Sequence, residues 1–157
     1  MIRSIAAVIA GYSVMALWVM LALSLSWMAL GPGFAFRGGS VDVSIGWMAV
    51  ALFTGFLGAL LGGFVSARIS KTPSGGAVRV LAGIVLVLGL MSAYFQVPPE
   101  ERPGFEGDIT QIGPTEAAEV ARQPRWYPYA ISLVGCFGVL TGGSARIHAR
   151  KDRWSGE

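Results

Sequence analysis

Few residues in this chain can carry chemistry, and their neighbours disarm most of them. There is one Cys and one His among 157 residues. One Cys excludes a disulfide framework and every multi-cysteine metal site, and one His excludes bis-histidine haem ligation within a single chain. A nucleophile needs a base within reach. Cys136 falls inside an apolar run with no base beside it and reads as a packing residue. His148 follows the last apolar run, among Arg146, Arg150 and Lys151. Those cations disfavour an imidazolium, and a single imidazole can ligate one haem or chlorophyll, so His148 is the one cofactor candidate. The plainer role is that of an interfacial polar residue. Glu116 and Glu119 share one helical face, but no companion His stands near them and no metal site is expected. No Gly-Lys-Ser or Gly-Lys-Thr ending marks a phosphate-cradling loop. The expectation is a protein without catalytic residues, cofactor or metal.

The elements that would position these residues are apolar. Hydrophobic residues make up 54% of the chain, charged residues 13%, and the mean hydropathy is +0.60. An ordinary soluble domain carries about 25% charged residues. The balance excludes a disordered chain and argues against a soluble globule. Residues 4–30, 43–67, 80–99 and 126–145 carry no charge at all. Each stretch reaches the roughly 20 residues that a helix needs to cross a bilayer. Strand-like alternation is absent, so helices are expected near 4–28, 45–67, 78–97 and 127–147. The first run opens on Met1-Ile2-Arg3, as a signal peptide does, but far exceeds a signal peptide's apolar core of about 7–15 residues. It is expected to remain as a helix. The fold class is therefore all-α, an integral-membrane four-helix bundle in a single domain over 1–157.

Orientation follows from the loops. Arg3, Arg68, Lys71, Arg79, Arg146, Arg150, Lys151 and Arg153 fall on one side, and Arg37, Arg102, Arg122 and Arg125 on the other. The more basic side faces the cytoplasm, so both termini are expected there. Trp27, Trp47, Tyr94, Trp126, Tyr127 and Tyr129 gather at the opposite ends of the helices, where amphipathic rings prefer to sit. The net charge of +3 is thus a topology signal, with the bilayer as partner and no role in nucleic-acid binding.

The second and fourth runs repeat each other. Gly55, Gly58, Gly62 and Gly63 match Gly135, Gly138, Gly142 and Gly143, and a Ser-Ala-Arg-Ile sequence follows both sets. A shorter match joins Val8-Ile9-Ala10-Gly11 to Val80-Leu81-Ala82-Gly83. Two tandem hairpins related by a pseudo-twofold axis along the membrane normal are expected. Gly55, Gly58 and Gly62 share one helix face, as do Gly135, Gly138 and Gly142. Such stripes let backbones approach closely in lipid, so these six glycines are the expected helix-packing residues. Lining of a pore is the alternative.

Ion and proton carriers hold ionisable groups inside the bilayer. The cores of these runs lack Asp, Glu, Lys, Arg and His, and the nearest polar candidates are Ser13, Ser24, Ser26, Thr54, Ser92, Gln96, Ser132 and Thr141. Residues 98–125 form a long outer loop with a short helix expected near 115–123, started by Pro114 or Thr115 and stopped by Pro124. Within it Glu100, Glu101, Glu106 and Asp108 can meet a basic partner, with Phe105 and Ile109 adding apolar contact.

Three stretches, "IAAVIAGYSVMALWVM", "LLGGFVSARIS" and "WYPYAISLVG" through "LTGGSARIHARK", resemble small four-helix bacterial inner-membrane proteins without assigned activity. That resemblance implies the bacterial inner membrane and transfers no functional residue. The expected function is a non-catalytic accessory or structural subunit of a larger membrane complex, contacting other integral membrane subunits. The alternative is a small passive channel or half-transporter acting as a homo-oligomer. Third comes a membrane enzyme whose substrate supplies the chemistry.

Overall fold

The computed structural model describes residues 2–70, 75–101, 105 and 107–154, with side chains for all of these except 99 and 146–154. Among the described residues, five α-helices carry the chain: α1 (Ile2–Ala35), α2 (Ile45–Ser70), α3 (Gly76–Tyr94), α4 (Pro114–Val120) and α5 (Tyr127–Trp154). The same residues include no strand. Helices α1, α2 and α3 and the stretch Tyr127–Ala145 of α5 are each long and apolar enough to cross a membrane.

The ends of the helices follow local chemistry. Helix α1 passes the expected residue 28 and breaks at Gly31, whose φ of 71° and ψ of 173° suit only glycine. Pro32 then opens a last turn, in which the Phe36 N–H bonds to the Pro32 carbonyl. Ser44 caps α2: its Oγ accepts from the Trp47 N–H at 3.0 Å and donates to the Phe34 carbonyl at 2.6 Å. Helix α3 stops at Tyr94, short of the expected 97, with Pro98 and Pro99 just beyond. Helix α5 continues to Trp154 rather than 147, because 145–153 holds only residues that tolerate a helix interior and neither Gly nor Pro.

Helix α2 lies at the centre, flanked by α1 and α5, and α3 sits mainly on α5. Two apolar cores result. One, near the chain termini, joins Ala59, Val78, Leu81, Ala82 and Val139. The other lies at the opposite end, where the 36–44 connection and the described residues of the connection from α3 to α5 fold over the helices; this is the cap end. Here Phe36, Val43, Met48, Ile112, Val120 and Tyr127 are all buried together.

Candidate functional site

The six glycines singled out by spacing divide between several interfaces. A Cβ at Gly62 would sit 2.7 Å from the Gly11 carbonyl, and one at Gly11 would sit 2.7 Å from the Gly62 carbonyl. A Cβ at Gly58 would meet Trp18 and Val19. Gly58 and Gly62 therefore face α1. Gly138 faces Ala59 and Phe56, and a Cβ at Gly142 would fall on the Leu60 carbonyl. These two face α2. Gly55 has only Ile131 near it, at 3.9 Å, and Gly135 faces Val85 of α3. The closest approach of α2 to α5 also involves a glycine outside the expected six: a Cβ at Gly63 would fall on the Val139 carbonyl. Spacing alone misses it because Gly63 lies one residue off the stripe, on the flank that α5 occupies. Cys136 packs beside the core near the termini. The His148 side chain lies outside the described residues.

The cap is a folded structure built by both connections. The Arg122 N–H donates to the Val41 carbonyl at 2.9 Å, and the Val43 N–H donates to the Arg122 carbonyl at 3.0 Å. This pairing ends α4 at Val120, before the expected 123, by diverting the backbone of Arg122 from a helical course. Among the residues expected to dock a partner, Phe105 and Ile109 are instead half-buried against the cap core. Loop position alone does not show that one side of each ring or chain packs on the cap core, as apolar surface near a core tends to do. Glu106 lies outside the described residues. Glu100, Glu101 and Asp108 are exposed. Arg125 donates to Glu100 at 3.0 Å, and this hydrogen bond holds the Glu100 carboxyl below its ordinary range. Asp108 accepts the Thr110 N–H at 2.9 Å and its hydroxyl at 2.7 Å, with the same consequence.

Beneath the cap lies a cavity of about 740 Å³. Its aromatic walls are Trp27, Phe36, Trp47, Phe95 and Tyr127, and Trp27 stands edge-on to both Phe36 and Trp47. Residues Pro114, Ala117, Ala118 and Ala121, in and just after α4, roof it. Its polar edge is Ser24, Ser92, Gln96 and Gln123. Ser26, Ser132, Thr141 and Ser144 donate to the carbonyl four residues back, at 2.7–2.8 Å. Ser24 and Ser92 make no such bond within the described residues. Of Ser24, Ser26, Thr54 and Thr141, the hydroxyls that could have lined one polar path, only Ser24 borders the cavity. Ser26 and Thr141 are committed to their own helices, and Thr54 is buried in α2.

No protein-family model, curated protein or solved structure matches this chain. Its function is therefore read from the glycine crossings, the cap and the cavity. Gln123 and Tyr127 escape sequence reasoning as cavity residues, because they lie far along the chain from Ser24 and meet it only through the fold. Among the described residues no group of three His, Cys, Asp or Glu side chains is placed to hold a metal ion.

Proposed function

We propose that this chain is a non-catalytic accessory or structural subunit of a larger integral-membrane complex in the bacterial inner membrane, with both termini cytoplasmic. The observation that carries this reading is the folded acidic cap. Glu100, Glu101, Asp108, Glu116 and Glu119 are all exposed on one end of the molecule, on a backbone tied down by the Arg122 pairing. A rigid charged surface steers and orients a partner at little ordering cost. The eight-to-four division of basic residues favours placing that cap outside the cell. The uncharged cores of the spans fit a scaffold better than a carrier of ions.

We also take the four spans as two tandem hairpins about a pseudo-twofold axis along the membrane normal. The support is the reciprocal crossing of α2 and α5: Gly63 faces the Val139 carbonyl and Gly142 faces the Leu60 carbonyl. Exchanging the two helices carries Gly63 onto Gly142, one residue off the register given by matching glycines in sequence. The outer pair has diverged, for Gly11 is buried against Gly62 while a Cβ at Gly83 would meet nothing within 4 Å.

The test is charge reversal on the exposed cap. Glu101, Glu116 and Glu119 become Lys, and Glu100 stays to hold Arg125. The variant should insert normally and lose its larger species on native gels of mild detergent extracts. Conduction of a small solute by purified protein in liposomes, with a homo-oligomer that ignores the reversal, would replace this reading with a channel.

A further inference from the structure

We infer that the cavity beneath the cap is a binding site for one neutral amphiphile, an apolar tail carrying hydroxyl, ester or quinone-type carbonyl oxygens, which enters sideways between α1 and α3. This rests on the membrane placement proposed above, and not on the accessory role.

The volume of about 740 Å³ lies within the roughly 300–1,000 Å³ typical of small-molecule sites. Such sites combine apolar walls with a few oriented polar groups, and the lining here has that composition. Tyr127 is 5% exposed, yet its hydroxyl forms no hydrogen bond with a described residue. The side chains of Ser24, Ser92, Gln96 and Gln123 form none with a described residue either. Hydroxyls usually satisfy themselves within a transmembrane helix, as Ser26 and Ser132 do here. Those around the cavity remain available as donors, which suits a ligand rich in acceptor oxygens. Among the described residues no Asp, Glu, Lys or Arg lines the cavity, so a charged head would be seated without an ion partner.

The route follows from where α1 and α3 meet and where the cavity lining is exposed. Helices α1 and α3 touch near the chain termini, where Leu81 lies against Gly11. At the cap end Ser24 of α1, Ser92 of α3 and Phe95 just after it all line the cavity and are exposed, which marks its open side. An opening that closes toward the termini admits a chain or ring from one leaflet and excludes a spanning helix of a partner. From Tyr127 to Ile131 the wall descends about one helical turn, roughly 6 Å, so the seat lies at the interface and the upper acyl region.

Native mass spectrometry of the purified full chain in mild detergent tests this with three probes: dioleoylglycerol, decylubiquinone and dioleoylphosphatidylglycerol. One of the neutral probes should bind once per chain and saturate, and which one does so names the source. The anionic lipid should bind at least about tenfold more weakly, because its head loses solvation without gaining a counter-charge. Ser92→Trp at the rim and Ala118→Trp in the roof are substitutions at exposed positions that fill the opening. Each should reduce neutral-probe binding at least about tenfold, as lost shape complementarity does in a preformed pocket. Val87→Trp, on an exposed face of α3 away from the cavity, should leave it unchanged. Absence of saturable neutral binding, equal binding of the anionic lipid, or full binding by both plugged variants would overturn the inference. None of these readouts needs a partner complex, so failure here is distinct from failure of the docking test.

Discussion

Glycine at a crossing and glycine on a free face behave oppositely, and this chain offers both. At Gly63 and Gly142 the neighbouring backbone occupies the place of a Cβ. Adding a methyl there forces α2 and α5 apart and weakens many contacts of about 0.1–0.2 kcal/mol each. Gly142→Ala should therefore destabilise by about 1–3 kcal/mol, the range for overpacking. Gly83 is exposed, and a methyl there would meet nothing within 4 Å. Gly83→Ala should stabilise by about 0.5–1 kcal/mol through lower backbone entropy in the unfolded chain. Thermal unfolding in one detergent, read side by side for the two variants, checks the opposite signs. Equal shifts would mean that the crossing is looser than the contacts of Gly142 imply.

Elements at the cap end make a different prediction, set by pH. The carboxyls of Glu100 and Asp108 are held below their ordinary range by Arg125 and by Thr110 respectively. A depressed carboxylate contributes stability above its unfolded pKa and loses it as pH falls through the folded pKa. The cap should thus be insensitive from neutral pH down to the ordinary carboxylate range of about 4, and loosen below it. Both groups are fully exposed, so the effect is small. Amide exchange at Thr110 is its sensitive probe, and Asp108→Asn should abolish the acid step there. How far these elements are legible in the sequence differs with their physics. The four long helices follow from uncharged length, which no tertiary contact overrides in spans such as 43–67. The short helix is legible from Pro114 and Glu116, but its end is not, because Arg122 pairs with Val41 and Val43, some eighty residues away. The same non-local folding hides the packing of Phe105 and Ile109 against the cap core and brings Ser24, Ser92, Gln123 and Tyr127 around one cavity. Periodicity records which residues share a face of one helix. It does not record which neighbour that face meets, so Gly58 and Gly62 are legible as packing residues while α1, their partner, is not.

For the whole molecule the decisive variable is which end faces the cytoplasm. Eight basic residues against four predict that the cap is outside and both termini inside, since positive loops resist translocation. The proposed docking and the inferred ligand entry both depend on this orientation: with the acidic cap inside the cell, the docking surface would face the cytoplasm and the cavity would open to the other leaflet. Single cysteines in a Cys136→Ala background resolve it. Thr115 and Ser4 are exposed, one on the first turn of α4 and the other near the start of α1. Thr115 is a better site than Gly107, where a side chain would collide with the Phe105 ring at 2.7 Å. A membrane-impermeant maleimide applied to intact spheroplasts should modify Thr115→Cys and spare Ser4→Cys until the membrane is broken. The reverse pattern would invert the molecule and move both the docking surface and the cavity to the cytoplasmic leaflet. Modification of both in sealed cells would mean that the apolar helices do not all span, because three crossings, α1 to α3, separate Ser4 from Thr115, and an odd number puts them on opposite sides of the bilayer.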